Sequence, residues 1–314
     1  MKPKFSIIIP LYNKAPYIRK ALESVHAQTF TDWECIIVND GSTDGSANIV
    51  SDYISQFEIE DLRLKILTQK NVGVAAARNR GVAESSGEYI CFLDADDWWE
   101  PEFLAEIDKL IAAYPDAGIY ATNYIYFKPG KTHVALSMPT GYIHYPQAYL
   151  ENGSMPVTSI TACMPRRVFE QMGGFPNGIK LGEDFLLWAK TALQYPVAFS
   201  NQPLAYYNNA VPASQRATRN LYRPAEHMLF NMDELEQAAL SNPHAETWKA
   251  LFDRLRVDGL MDYWLNSEYH DAAAAELAKV QHGKEAYDQP IWWLKFLRFS
   301  LKLGSLCKQV VVKI

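Results

Sequence analysis

The sequence contains only four cysteines, and their spacing matches neither a metal site nor a disulfide framework. They lie far apart in the chain, at Cys35, Cys91, Cys163 and Cys307. Cys35 and Cys91 fall inside apolar runs, so we expect free thiols in a protein core. The cysteine pattern therefore favours a reducing compartment over a disulfide-stapled secreted domain.

A basic surplus and long apolar runs are also missing. The net charge of -6 and the pI of about 5.7 argue against a nucleic-acid partner. No stretch reaches the roughly 18 uncharged apolar residues of a membrane-spanning helix. Pro10 ends the first apolar run too early for a secretory leader. We therefore expect a cytoplasmic protein.

The first half of the chain alternates strand-like and helix-like segments. Continuous apolar runs predict strands at 5–11, 34–39, 62–67 and 88–93, and helices are predicted at 15–27, 46–57 and 72–84. Strands that are apolar at nearly every residue are buried on both faces, as in an α/β fold with a mostly parallel sheet flanked by helices. The tyrosine-rich stretch 118–127 and residues 133–144 indicate an antiparallel addition.

The second half changes from this mixed pattern to helices. A helix at 183–194 and a strand at 196–209 are followed, from about residue 221, by long amphipathic helical stretches. We therefore expect an α/β domain at 1–217 and a C-terminal helical region at 218–314. No internal repeat or low-complexity linker separates them.

Polar residues stand where the predicted strands end. Such sheets bind ligands beyond the carboxyl ends of their strands, so we expect these side chains to converge on one cleft. Tyr12 offers an aromatic ring to a base, and Asp40 can accept hydrogen bonds from a base N–H. Arg78 can meet a phosphate or an acid. Asn13 is expected to cap the helix at 15–27. The alternatives are a plain turn and helix cap for DGSTDGS, with Asp44 or Ser46 as the cap, and a surface ion pair for Arg78.

Three carboxylates follow the strand at 88–93. In the extended segment Asp94-Ala95-Asp96 the two carboxylates lie on one side, and hard oxygen ligands suit Mg²⁺ or Mn²⁺. Since Mg²⁺ usually completes its shell with water and substrate phosphates, the pattern suggests a metal that holds a nucleoside diphosphate. The alternative is a solvated acidic loop in which Asp97 caps the next helix.

Taken in order, the motifs resemble family-two glycosyltransferases of the GT-A fold. They are FSIIIPLYNK at 5–14, IIVNDGSTDGS at 36–46, QKNVGVAAARNRG at 69–81, YICFLDADDWWEPEFL at 89–104 and GGFPNGIKLGEDFLLWAK at 173–190. The similarity covers roughly the first two-thirds of the chain. None of the motifs specifies the sugar.

The resemblance implies a role for each matching residue. Donor-binding positions, with uracil the usual base, are Pro10, Tyr12, Asp40, Arg78, Asp94, Ala95 and Asp96. Asp96 is also the metal ligand, for Mn²⁺ or Mg²⁺, and Asp184 is the catalytic base. Glu183 and Trp98 are candidates for acceptor contacts or support. From the residues alone, Glu183 and Asp184 also fit a plain acidic pair at a helix N-terminus.

The function so implied is an inverting transfer from a nucleotide-sugar, most often UDP-linked, to a hydroxyl of a glycan or lipid-linked acceptor in bacterial surface polysaccharide synthesis. Three other classes compete with it. A nicotinamide oxidoreductase is disfavoured because PLYNKAP replaces the expected G-x-G-x-x-G after the first strand. A metal-dependent nucleotidyltransferase and a non-catalytic nucleotide-sugar binder remain as alternatives.

The stretch 291–314 combines five basic residues and no acid with a cluster of aromatics. A basic amphipathic helix of this kind can lie on an anionic membrane surface, which would place the protein at the inner face of the membrane. A helix packed on the protein with its lysines in water fits the stretch equally well.

Overall fold

The computed structural model describes residues 2–56 and 63–281, which belong to two compact units. The first unit ends at Asn220, and the second begins at Leu221. Sequence patterning places the domain boundary at 217/218. Each unit is described by itself below.

The first unit is an α/β structure. Its strands are β1 (Phe5–Leu11), β2 (Trp33–Asn39), β3 (Leu64–Thr68), β4 (Tyr89–Phe92), β5 (Trp98–Trp99), β6 (Ile119–Phe127), β7 (His133–Val134), β8 (Gly141–Ile143), β9 (Ala162–Pro165) and β10 (Val197–Asn208). Its helices are α1 (Ile18–His26), α2 (Ser46–Ile54), α3 (Val74–Ala83), α4 (Phe103–Ala113), α5 (Tyr145–Asn152), α6 (Arg166–Met172) and α7 (Glu183–Ala192).

The strands form a single sheet in the order β3-β2-β1-β4-β9-β6-β10-β5, with β7 beside β6 and β8 beside β10. The first four strands pair in parallel. Every residue of β2 is buried, and β1 is buried except at Pro10, as expected for strands covered on both faces. β2 and β4 pair with opposite edges of β1. The topological switch point therefore lies between β1 and β4.

The predicted α/β class, with its antiparallel addition and C-terminal helices, is confirmed. The pairing of the addition is more mixed than expected. β9 enters antiparallel between β4 and β6, but β6 runs parallel to β10. The short β5, β7 and β8 form the other antiparallel pairs, β5 and β8 with β10 and β7 with β6. Pairing between segments far apart in sequence depends on packing that local patterns do not contain.

Several predicted boundaries were wrong at helix starts. The helix expected from residue 15 begins at Ile18, because residues 15–17 form a turn. Asn13 does not cap it: Asn13 has φ of 52°, and its Oδ1 accepts from the Thr43 amide at 2.8 Å. The buried residues of α1, Ile18, Ala21, Leu22 and Val25, follow the spacing of one helical face.

Close packing of α3 on the sheet depends on Gly81. A Cβ at this position would lie 2.5 Å from Ile8 Cγ2 and 3.2 Å from Val38 Cγ2. The helix therefore sits directly on β1 and β2, and this contact carries Arg78, one turn earlier, towards the strand ends.

The second unit is helical in its described part. It contains α8 (Asp233–Ala239), α9 (Ala245–Gly259), α10 (Met261–Leu265) and α11 (His270–Ala278). Buried Arg256 on α9 pairs with Glu236 and, at 3.0 Å, with Glu276, so it ties α8 and α11 to α9. The helical expectation for 218–314 is thus met as far as residue 281.

In the described ranges no helix combines the length and apolar character needed to cross a membrane. The proposed membrane-surface helix at 291–314 and Cys307 lie outside those ranges. Cys35, Cys91 and Cys163 are free and buried, as expected.

Candidate active site at the strand ends

The loops after β1 and β2 are fastened to each other. The Asn13 amide donates to Ser42 Oγ at 3.1 Å, and Asn13 Oδ1 accepts from Thr43. Asp44 accepts from the amides of Ala15 and Ser46 at 2.9 and 3.0 Å. The DGSTDGS stretch is therefore a turn whose side chains hold the β1 loop in place, while Tyr12 stays 48% exposed at its end.

Asp40 anchors the loop that follows β3. Its Oδ1 accepts from Gln69 Nε2 at 2.8 Å and from the Val72 amide at 3.0 Å, and its Oδ2 accepts from the Gly73 amide at 2.9 Å. Three of the roughly four lone-pair sites of a carboxylate are thus occupied within the protein. A base N–H would have to use the one that remains.

Arg78 joins two strand-end clusters that the sequence separates widely. Its guanidinium donates to Asp94 Oδ1 at 2.7 Å and to Glu183 Oε1 at 2.6 Å, and it lies 5.1 Å from the centre of the Phe175 ring. Arg78 is only 3% exposed. Arg78 thus meets acids, as predicted, and the alternative of a surface ion pair is wrong, since the guanidinium is a buried bridge from the end of β4 to the start of α7. Among the described residues, Arg78 Nε has no hydrogen-bond partner.

Asp96 and Asp97 have separate partners. Asp96 Oδ2 accepts from Lys14 Nζ at 2.5 Å, whereas buried Asp97 accepts from the Asn208 amide at 2.7 Å. Burial raises the pKa of Asp96, which Lys14 opposes, and it raises the pKa of Asp97 well above its usual range, with Asp96 and Asp94 adding to that rise. The acids are therefore short of positive charge, and Asp97 does not cap a helix.

Asp184 lies in the first turn of α7, after Gly182 in the left-handed conformation. Its Oδ1 accepts from the Phe185 amide at 2.8 Å, and its Oδ2 accepts from Ser159 Oγ at 3.3 Å. Burial raises the pKa of Asp184 and raises the pKa of Glu183 to about 7, although Arg78 opposes both. A carboxylate with a raised pKa is a stronger proton acceptor, as a general base requires.

Trp98 is packed among aromatic side chains. Tyr206 stacks on it with ring centres 4.9 Å apart, Phe127 meets it edge-on, and Lys20 Nζ lies 3.1 Å above its ring. Trp98 therefore supports the β5–β10 pairing beside the acids, and an acceptor contact through it stays a prediction. Pro10, the residue before the end of β1, is half-buried, and Ala95 is buried between the two aspartates.

Sequence reasoning missed three residues of this cluster, and it noted Asp97 only as one of three acids and as a possible helix cap. Lys14, Ser159 and Asn208 bind Asp96, Asp184 and Asp97, respectively. Lys14 was visible inside the first motif, but only as a neighbour of assigned residues. Ser159 and Asn208 carry no local signal, because their partners lie 25 and 111 residues away.

The acids fit a divalent metal completed by substrate oxygens. In the part of the chain that the structure describes, no three His, Cys, Asp or Glu side chains are arranged to hold a metal by themselves. Mg²⁺ sites of nucleotide-binding enzymes commonly use one or two carboxylates with phosphate and water oxygens. Asp96 already has a cation, the Lys14 ammonium, on one carboxylate oxygen, and the buried acids beside it favour further positive charge.

Several proteins of similar sequence are named as glycosyltransferases. Glycosyltransferase GlyA of Streptococcus pneumoniae is 34% identical over 218 residues, 65% of this chain and 30% of GlyA. Putative glycosyltransferase EpsH of Bacillus subtilis is 39% identical over 122 residues, 39% of this chain and 34% of EpsH. The chain thus spans about a third of the length of these two relatives. The putative teichuronic acid biosynthesis glycosyltransferase TuaG of B. subtilis is 29% identical over 73% of this chain and 91% of TuaG.

Solved structures show the same fold. TarS of Staphylococcus aureus, in complex with UDP-GlcNAc, is 21% identical with a TM-score of 0.73, over 90% of this chain and 82% of that one. The mannosyltransferase PcManGT of Pyrobaculum calidifontis, in complex with GDP-Man and Mn²⁺, is 21% identical with a TM-score of 0.52, over 92% and 88%. The fold of the chain is therefore of the GT-A type.

The family model described as "Glycosyl transferase family 2" matches residues 6–173, more than half of the chain. That range contains β1 to β4, the Lys14–Asp96 pair and Arg78. The chain belongs to glycosyltransferase family 2.

Proposed function

We propose that the chain transfers a sugar, with inversion, from a UDP-linked donor to a hydroxyl group of a glycan or lipid-linked acceptor in bacterial surface polysaccharide synthesis. Residues 1–217 form the catalytic domain in this proposal, and 218–314 form a C-terminal helical region. The observation that carries it is a connected cluster of charged residues. Lys14 pairs with Asp96, and Arg78 bridges Asp94 and Glu183. The backbone joins Asp94 to Asp96 and Glu183 to Asp184.

The charges of this cluster, together with Asp97 beside it, support a metal-dependent donor site. Its five carboxylates are Asp94, Asp96, Asp97, Glu183 and Asp184, and its two cations are Lys14 and Arg78. With all of them ionised, negative charge exceeds positive charge. A nucleoside diphosphate is itself an anion, so it enters favourably only if a further cation enters with it. Mn²⁺ or Mg²⁺ held by Asp96 would stabilise the leaving diphosphate as a Lewis acid.

The chain's own residues supply the other parts of the reaction. The base end of the donor site is formed by Pro10, Tyr12 and Asp40, which lie beside the loops after β1 and β2. Asp184 takes the proton of the acceptor hydroxyl, whose oxygen forms a bond to the anomeric carbon. The bond from that carbon to the diphosphate breaks, and the nucleoside diphosphate leaves with the electron pair.

Arg78 keeps the donor half and the acceptor half of this site in register. Its guanidinium donates to Asp94 on one side and to Glu183 on the other, and Glu183 precedes the proposed base directly. A planar group with fixed N–H directions suits such a bridge, because it sets the separation of its two partners.

The bound ligands and the names of similar proteins are consistent with this reaction. TarS has been solved with UDP-GlcNAc and PcManGT with GDP-Man and Mn²⁺, and TuaG is named for teichuronic acid biosynthesis. We take UDP as the donor nucleotide, and GDP is the alternative that a binding screen separates from it.

The test is an analysis of the released products. The protein is incubated with UDP-sugars, Mn²⁺ and membrane or polysaccharide extracts, and UDP, pyrophosphate and the anomeric configuration of the product are measured. Release of UDP and an inverted product support the proposal, and Asp184→Asn should remove both. Pyrophosphate release would identify a nucleotidyltransferase instead, and donor binding without turnover would identify a non-catalytic binder.

A further inference from the structure

Lys14 pairs with one carboxylate oxygen of Asp96, the proposed metal ligand. Its ammonium lies 2.5 Å from Asp96 Oδ2, and it also donates to the backbone carbonyl of Gln215 at 3.3 Å. Both side chains of the ion pair are largely buried, at 17% and 20% exposed. The pair spans the switch point, because Lys14 follows β1 and Asp96 follows β4.

The backbone around Lys14 directs its side chain to this place. The Lys14 amide donates to Ser46 Oγ at 2.9 Å, and the preceding residue, Asn13, is held by Ser42 and Thr43. The loop is thus fixed from both sides, and the lysine stem extends from a rigid base. Because the backbone is already fixed, only the rotamers of the Lys14 side chain become ordered when the ion pair forms.

We propose that Lys14 is a tethered counterion that holds Asp96 in the donor-free protein and moves to the donor diphosphate when Asp96 takes up the metal; this inference rests on the proposed function. The Lys14 ammonium and a divalent cation on the same carboxylate repel each other at short range, so a metal that binds Asp96 weakens the Lys14–Asp96 pair. The Gln215 carbonyl keeps the released ammonium near the site. There it meets the phosphate oxygens as a compact point charge on a flexible stem.

Lys14 therefore has opposite effects on the two ligands. It weakens binding of the metal alone, because it competes for Asp96, and it strengthens binding of the nucleotide in the presence of metal. A purely structural lysine would change neither affinity or would lower both. Opposite changes in the affinities for metal and for nucleotide therefore distinguish a lysine that exchanges partners from one that only stabilises the loop.

The experiment measures Mn²⁺ binding to the full chain by electron paramagnetic resonance and UDP binding at saturating Mn²⁺ by calorimetry. Lys14→Met removes the charge and keeps the length of the side chain. We expect it to bind Mn²⁺ alone more tightly, by roughly three- to tenfold, which is the range for loss of a partly buried competing ion pair. UDP affinity at saturating Mn²⁺ should fall by a similar factor.

Two further variants serve as controls. Lys14→Arg keeps a cation on Asp96 and should retain the wild-type Mn²⁺ affinity. Lys4→Met breaks a lysine–aspartate pair with Asp108 elsewhere in the unit and should change neither affinity. If Lys14→Met binds Mn²⁺ no more tightly than the wild type, and the wild type shows metal-dependent UDP binding, the proposed role of Lys14 is overturned and the proposed function is not. Absence of metal-dependent UDP binding in the wild type would overturn the proposed function itself.

Discussion

Removal of the Arg78 guanidinium should destabilise the first unit in a way that depends strongly on pH. Arg78 is buried and pairs with Asp94 and Glu183 at 2.7 and 2.6 Å. In Arg78→Met the two carboxylates lose their cation while Glu183 stays buried. Breaking a buried pair by removing one partner costs about 3–5 kcal/mol, so we expect a loss of that order at pH 8.

The sign of the pH dependence follows from the carboxylates. Burial already raises the pKa of Glu183 to about 7 and raises the pKa of Asp184, and Arg78 opposes both rises. Without Arg78 the native state holds these protons to still higher pH than the unfolded chain does. Stability therefore falls as pH rises through the native pKa values, and the deficit of the variant is smaller at pH 5, where buried Glu183 is protonated.

Urea unfolding followed by fluorescence at pH 5 and pH 8 measures this difference. Arg80→Met is the matched control on α3, since Arg80 is only partly buried and donates to the Thr68 carbonyl and Gln69 Oε1 at 3.0 and 3.2 Å. We expect that control to lose no more than about 1 kcal/mol at either pH. A loss in Arg78→Met that equals the control, or that does not change between the two pH values, would refute the buried-bridge reasoning.

Three further predictions concern single residues. Asp184→Asn should lower transfer by roughly 10²–10⁴-fold and leave UDP binding unchanged. Because burial raises the pKa of Asp184, the activity of the wild type should be lost on acidification at a higher pH than an ordinary aspartate would give. A pH–rate profile of both proteins checks these two expectations. Asp97→Asn keeps the acceptor for the Asn208 amide and removes a buried charge, so it should stabilise the protein by about 1 kcal/mol at pH 8 and less at pH 5; destabilisation at pH 8 would contradict this. Gly81→Ala places a Cβ 2.5 Å from Ile8 Cγ2 and should cost about 1–3 kcal/mol in urea unfolding, and a neutral result would show that α3 shifts freely on the sheet.

Local patterns were sufficient for the elements that carry the site. The strand β1 was predicted to the residue, because its apolar run ends at a polar segment, and the other parallel strands were placed within two residues. The insertion of β9 between β4 and β6 was not predicted, since antiparallel pairing of Cys91 with Cys163 joins segments far apart in the chain. Strand order in that region depends on tertiary packing.

In the candidate site, too, local patterns predicted some features and not those that depend on tertiary packing. The positions of the acids after β4 and at the start of α7 followed from strand ends and from the resemblance. Their partners did not, because Lys14 meets Asp96 across 82 residues and Arg78 meets Glu183 across 105. Asn13 shows the limit most clearly: its sequence position suits a helix cap, but its side chain binds the loop after β2 instead. Long-range hydrogen bonds compete with local ones, and sequence shows only the local candidates.

The measurement that tests the central claim most directly is a thermal-shift titration with UDP, GDP, dTDP and CDP, each with Mn²⁺ or with EDTA. A ligand that binds the native state at about 100 times its dissociation constant adds roughly 2.7 kcal/mol of stability, which is readily seen as a rise in Tm. We expect UDP to raise the Tm only with Mn²⁺, Asp96→Ala to lose that rise, and Asp108→Ala, outside the site, to keep it. An equal rise in EDTA, or an undiminished rise in Asp96→Ala, would contradict the account of a metal-bridged diphosphate at the β1–β4 switch point.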